Sequence, residues 1–266
     1  MTFAPERPKD ALADWLRIRP RISWPCWSGA HLSHRGESHR NAFQDFFSAT
    51  RGSRDVEGTA RVLAALDLAL VDAERGDRLA FAVMANWQQL VLGEEVAAFR
   101  TLPAFAKKVR ERYGIAPDTQ AWFDRCLSES TQPGLSLPSR AARTYLDVLF
   151  FHPFEDGNAR AAMLALAFVL AREGVAVDQV HPLQTTRWAD DAEGAADLAV
   201  LLGILIAAAG RRPSRASRTG RPSAADDNTK PATATTNNAT THHQTPVNHH
   251  KKTIAVRGPR RCGAGL

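Results

Sequence analysis

Apolar positions along the first 209 residues recur at three- and four-residue intervals and almost never alternate, so the pattern predicts helices and argues against a β-sheet framework. The clearest segment is Asn158 to Arg172, where an unbroken apolar run from Ala161 to Ala171 contains neither Pro nor Gly and Gly174 follows as a terminator. The same spacing predicts helices near Lys9 to Arg17, Ser38 to Phe47, Arg54 to Arg75, Asp77 to Leu92, Asp118 to Ser130, Ser139 to Phe151 and Ala192 to Ala209. Trp87 and Trp122 are read as core, and the stripe Leu198 to Ala209 as the packing face of a final helix. The expected fold class is all-α. Between Gly93 and Pro117 the period is lost among Phe99, Arg100, Leu102, Pro103 and Tyr113-Gly114. From Gly210 onward the chain turns to Arg, Ser, Thr, Asn, His and Pro without aromatic residues, a composition that cannot bury a core and predicts a disordered tail over 210–266.

Length and charge narrow the reading. A chain of 266 residues with 44% hydrophobic residues supports one good core. The net charge of +6 is not uniform: eleven of the 34 Lys and Arg but only two of the 28 Asp and Glu lie beyond residue 209, which leaves residues 1–209 net acidic by three. The basicity belongs to the tail and gives no ground for nucleic-acid binding by the helical part. Cys26, Cys126 and Cys262 are odd in number and far apart, which fits a reducing compartment. The start, MTFAPERPKDALADW, lacks a signal-peptide pattern, and the longest apolar runs reach about half of the roughly 20 residues that span a bilayer. A soluble, cytoplasmic protein without a membrane partner is expected. Cys26, His31, His34 and His39 match no common zinc spacing, and the chain holds no P-loop, nucleophile elbow or Rossmann fingerprint.

One stretch states a chemistry. Residues 152–160 read His-Pro-Phe-Glu-Asp-Gly-Asn-Ala-Arg and run directly into the predicted helix at Asn158. The first turn of that helix leaves the backbone N–H groups of Gly157, Asn158 and Ala159 without intrahelical partners, where the helix dipole adds partial positive charge. This is an anion site. Gly157 lets a phosphate approach the backbone, Arg160 adds a charge with bidentate geometry, and Asp156 offers a carboxylate that Mg²⁺ can share with phosphate oxygens. His152, just upstream, suits a general base that takes the proton from a Ser, Thr or Tyr hydroxyl as its oxygen attacks phosphorus. Phe154 is expected to anchor the loop in the core.

This run resembles the signature of the Fic family, H-x-F-x-[D/E]-G-N-G-R-x-x-R, with Ala159 at the second glycine and Met163 at the second arginine. A chance match at the six remaining fixed positions is expected in on the order of one in a hundred thousand chains of this length, so coincidence is a poor explanation. The resemblance implies a Fic-like helical bundle over residues 77–209, with a short β-hairpin flap upstream of the motif that registers a target peptide by strand addition. It implies transfer of AMP from ATP, with Mg²⁺, to a hydroxyl of a protein target or of the protein itself. In that scheme His152 is the base, Asp156 the metal ligand, and Gly157, Asn158, Ala159 and Arg160 the nucleotide-phosphate site. Two alternatives stay open: a Doc-like kinase, and a degenerate Fic fold that only binds or regulates. Ser53-Arg54-Asp55-Val56-Glu57-Gly58 fits [S/T]-x-x-x-E-[G/N] and resembles the family's inhibitory motif. Ser53, Glu57 and Gly58 are therefore candidate regulatory residues on a helical element over 51–76, preceded by a region of helix and loop over 1–50. The arginine with which such a glutamate pairs is absent, because Met163 occupies its place.

Overall fold

The computed structural model describes residues 9–27, 39–51 and 55–209, which form eight α-helices and one two-stranded hairpin. Residues 1–8, Ser53 and the tail expected over 210–266 lie outside the described residues. In chain order the elements are α1 (Ala11–Ile18), α2 (His39–Arg51), α3 (Val56–Glu74), α4 (Phe81–Leu92), β1 (Ala104–Ala106), β2 (Glu111–Tyr113), α5 (Thr119–Ser128), α6 (Leu137–Phe151), α7 (Asn158–Arg172) and α8 (Ala192–Ala209).

The centre of the bundle is the packed pair α6 and α7. Every residue of α7 from Ala161 to Leu170 is buried, as a helix apolar on all faces must be. α6 packs against α7, α8 and α5, while α3 packs against α7, α4 and α2. Two buried carboxylates inside this core are paired. Asp147 of α6, fully buried, accepts from Trp15 Nε1 at 2.9 Å and from Arg19 Nε at 2.7 Å and Nη2 at 2.8 Å, which fixes α1 to α6. Asp72 of α3 accepts from Trp87 Nε1 of α4 at 2.7 Å. Trp87 is thus core as expected, whereas Trp122 is 36% exposed on the outer face of α5. Cys126 is a buried free thiol.

The helix boundaries follow local chemistry. α4 begins at Phe81 and not at Asp77, because Gly76 takes a left-handed conformation and the Asp124 carboxylate receives the Phe81 N–H at 2.6 Å, a cap supplied from another helix. α3 is capped by Asp55, whose Oδ1 accepts from Gly58 N at 2.8 Å. Where the apolar period fails, β1 pairs antiparallel with β2 in the register Ala104 to Tyr113, Phe105 to Arg112 and Ala106 to Glu111. The turn between them holds Lys107, Lys108 and Val109 at positive φ.

Candidate functional site

α6 ends at Phe151, and the site begins where it ends. His152 closes the helix in the left-handed conformation (φ 48°, ψ 58°), so the chain turns sharply and sends Pro153 and Phe154 back into the core. Arg100, itself buried, holds that turn: its Nε donates to His152 O at 2.7 Å, Nη2 to Phe151 O at 3.2 Å and Gly114 O at 2.5 Å, and Nη1 to Leu102 O at 2.7 Å. A guanidinium on the terminal carbonyls of a helix also meets the negative end of its dipole. Burial nonetheless pulls the Arg100 group down to about 10, aided by Arg112 and opposed by Asp10.

Three contacts shape the loop before α7. Phe154 is buried with its ring against Phe81, 5.4 Å between centroids, and burying such a side chain contributes about 1.5 to 3 kcal/mol. Asn158 is buried as well, and its amide closes the loop on Phe154, with Oδ1 accepting from Phe154 N at 2.9 Å and Nδ2 donating to Phe154 O at 2.8 Å. The Asn158 side chain is therefore structural, and only its backbone N–H remains for the phosphate role expected of it. The third contact comes from Gln88 on α4, fully buried, whose Nε2 donates to Asp156 O at 2.7 Å. Gln88 lies on the same helical stripe as the buried Met84 and Val91, and an amide within an apolar stripe was the signal available for finding it.

Gly157 sits at the turn into α7 with φ 78°, and a Cβ there would stand 2.3 Å from Gln88 Nε2 and 3.2 Å from Arg160 Nη2. The position needs glycine for conformation and for space alike. Gly157→Ala is expected to break the Gln88 contact and add left-handed strain of about 1 to 2 kcal/mol. At about 2 to 4 °C per kcal/mol for a domain of this size, the melting temperature should drop by several degrees, with nucleotide affinity at least tenfold weaker by titration calorimetry.

The loop opens on a cleft of about 630 Å³. Its lining includes His152 and the whole run from Glu155 to Arg160, together with Met163 one turn further along α7. Opposite walls come from Phe46, Phe47 and Thr50 of α2, Val62 of α3 and the β1 residues Ala104, Phe105 and Ala106. The α2 residues and Gln184 were not expected in the site. Arg160 is mostly buried on its side chain (16% exposed), with Nη2 at 3.2 Å from the Asp156 carboxylate, which is itself 81% exposed at the cleft. Asp156 and Glu155 are oxygen donors placed beside the N-terminus of α7. One or two carboxylates next to a phosphate-accepting backbone match the way Mg²⁺ is held, with the remaining ligands supplied by phosphate and water. Among the described residues no group of three or more His, Cys, Asp and Glu could hold a metal by itself, so phosphate oxygens would have to complete such a site.

His152 has a defined tautomer. Its Nδ1 lies 2.8 Å from Leu149 O, and because a carbonyl only accepts, Nδ1 carries the hydrogen and Nε2 keeps its lone pair. The ring of Tyr113 stacks on it, centroids 4.2 Å apart and planes at 10°. Burial lowers the imidazole pKa below its ordinary value, with Arg100 and Lys107 acting in the same direction and the Leu149 hydrogen bond and Glu111 opposing.

Of the candidate regulatory residues, Glu57 and Gly58 fall outside the cleft lining. Glu57 is in the first turn of α3 with its side chain 81% exposed, paired with Arg61 at 2.8 Å, and it is not among the residues lining the cleft. Gly58 serves the helix cap, and Ser53 lies outside the described residues. From α3 it is Val62 that reaches the cleft. Met163, where the motif's second arginine would stand, is buried, with Gln184 Nε2 at 3.6 Å from its sulfur.

No family model matches the chain, and no curated protein matches it. Among solved structures it is similar to a Fic domain containing signaling protein from Bacteroides thetaiotaomicron, with 18% identity, 74% of this chain and 86% of that chain covered, and a TM-score of 0.44. It is also similar to IbpAFic2, with 18% identity, 78% of this chain and 72% of that chain covered, and a TM-score of 0.43.

Proposed function

We propose that the chain is a Fic-type enzyme that transfers a nucleotide-derived phosphate group, AMP from ATP in the favoured reading, to a hydroxyl side chain of a protein. The observation that carries this reading is that one cleft is lined by the helix N-terminus at Gly157, by Arg160, by Asp156 and by a His152 whose Nε2 holds a lone pair. The backbone N–H groups at the start of α7 and the Arg160 guanidinium would hold a diphosphate. Asp156 would hold Mg²⁺, which neutralises charge on the phosphates when bound. His152 Nε2 would take the proton of the acceptor hydroxyl as its oxygen forms a bond to the α-phosphorus. The bond from that phosphorus to the bridging oxygen breaks, and pyrophosphate leaves with the electron pair. β1, with Ala104, Phe105 and Ala106 on the cleft, would seat the acceptor segment along its open edge.

The state of His152 gives the reaction a direction on the pH scale. A base must be neutral to act, and a depressed pKa keeps His152 neutral above that value. Activity should hold steady above about pH 6.5, the ordinary value, and fall tenfold per unit only as pH drops through a lower midpoint. A rate profile with its acidic limb centred above 6.5 would contradict this assignment.

Met163 supports a second reading, a fold that binds nucleotide without turning it over. A charge-assisted contact contributes roughly 1.5 to 3 kcal/mol, so its absence weakens the hold on a terminal phosphate about ten- to a hundredfold. Intact-protein mass spectrometry after incubation with MgATP separates the two. Transfer adds one AMP moiety to a Ser, Thr or Tyr of the chain or of an added target, and binding alone adds no covalent mass.

A further inference from the structure

We propose that Tyr113 is a positioning residue for His152, and that through it the alignment of the base is tied to the hairpin flanking the cleft. This rests on the reading of His152 as the base. The second torsion of a histidine is broad, so the backbone at residue 152 does not by itself set the plane of the ring. The bond from Nδ1 to Leu149 O fixes one point of that ring, and a second constraint is needed to fix its plane. The near-parallel stack of Tyr113 supplies it.

Tyr113 is itself immobilised from two sides. Its ring is 2% exposed, and its hydroxyl donates to Glu111 Oε2 at 2.6 Å. Glu111 is buried and also receives Lys107 Nζ at 2.8 Å. Lys107 belongs to the hairpin turn, donates to Arg187 O and lies 4.2 Å from the Trp188 ring centroid. A continuous chain thus runs from the turn through Lys107, Glu111 and Tyr113 to the imidazole. On the backbone side, the Arg100 guanidinium grips both His152 O and Gly114 O, so the segments carrying the two stacked rings are clamped by one group. Ala104, the β1 partner of Tyr113, lines the cleft. Core packing alone would account for the burial of an aromatic ring at residue 113. It would not call for the tyrosine hydroxyl to end on a buried carboxylate, nor for a parallel stack on the imidazole that lines the cleft. The charged groups that act on the His152 ring are Arg100 from the loop before β1, Lys107 from the turn and Glu111 from β2.

The experiment compares the full chain with Tyr113→Phe and Tyr113→Leu by nitrogen and proton NMR of the His152 ring across pH, alongside the transfer rate. Tyr113→Phe keeps the stacked ring but cuts the hydroxyl link to Glu111, so it should keep the Nδ1–H tautomer while transfer falls about three- to tenfold, less than in Tyr113→Leu. Tyr113→Leu should let the ring rotate and hydrate, with the two tautomers mixed, the titration midpoint moving up toward the ordinary histidine value, and transfer at saturating nucleotide falling about ten- to a hundredfold while nucleotide affinity stays level. A His152 titration and tautomer in Tyr113→Leu identical to those of the parent would overturn the proposal. If Tyr113→Leu does not fold, the parent decides the matter: ring-current shielding of the His152 protons and cross-relaxation with the Tyr113 ring are expected, and their absence overturns the stack. The NMR readouts need no turnover, so a failed positioning role is distinguishable from a failure of the transferase reading, in which His152 would be held as described and no label would move.

Discussion

His152→Asn is expected to lower transfer by about two to four orders of magnitude while Mg²⁺-nucleotide binding and melting temperature stay close to those of the parent. Asparagine is a cleaner probe than alanine here because residue 152 has φ 48°, a conformation that asparagine tolerates and alanine resists. Its amide can still donate to Leu149 O, so the turn after α6 keeps its hydrogen bond while the proton acceptor is lost. The expected signature is a fall in turnover without a matching fall in nucleotide affinity, because the cradle at Gly157 and Arg160 is untouched. Transfer at the parent rate by this variant would remove His152 from the base role.

Asp156→Ala is expected to abolish the Mg²⁺ dependence of nucleotide binding. The Asp156 carboxylate is 81% exposed and its pairing with Arg160 spans one helical turn at the surface, so its loss should scarcely change the melting temperature. The same exposure leaves the carboxylate open to a hydrated cation. Titration calorimetry with ATP, run with Mg²⁺ and with chelator, should give two different affinities for the parent and one shared value for the variant. Equal Mg²⁺ enhancement in both would move the metal to Glu155 or to another carboxylate.

Much of the bundle was legible because a helix core announces itself by period. α7 is the plainest instance, since its entire buried run is apolar, and its start and end carry Gly157 and Gly174. α4 was read four residues too early, because its true cap, the Asp124 carboxylate, comes from a helix more than forty residues away and leaves no local mark. The hairpin strands are three residues each, too short for alternation to register, and their place was expected only from the family resemblance. Trp122 was read inward because helical spacing fixes relative faces but not how far the outer edge of a stripe is covered.

The site divides along similar lines. The run from His152 to Arg160 is contiguous, so its chemistry could be read from spacing, and the structure brings His152, Asp156, Gly157, Ala159 and Arg160 to one cleft. Asn158 shows the limit of spacing: the residue type suited an anion site, yet both polar atoms of its amide are taken up in closing the loop on Phe154. Tyr113, Arg100 and Gln88 lie 39, 52 and 64 positions upstream of His152 and act on the motif through contacts that only the tertiary fold creates. Glu57 shows the converse. A six-residue pattern named it as a candidate inhibitor, while the Asp55 cap turns the first helical turn so that Glu57 faces solvent and Arg61. Among the described residues, the N-terminal side of this cleft is lined by Phe46, Phe47 and Thr50 of α2 and by Val62 of α3.

The most direct test is incubation of the chain and a lysate with ATP carrying its label at the α-phosphate or, in parallel, at the γ-phosphate. The account predicts protein-bound label from the α position alone, dependent on Mg²⁺ and lost in His152→Asn. Label from the γ position alone would mean transfer of the terminal phosphate, and label from neither would contradict the transferase reading altogether.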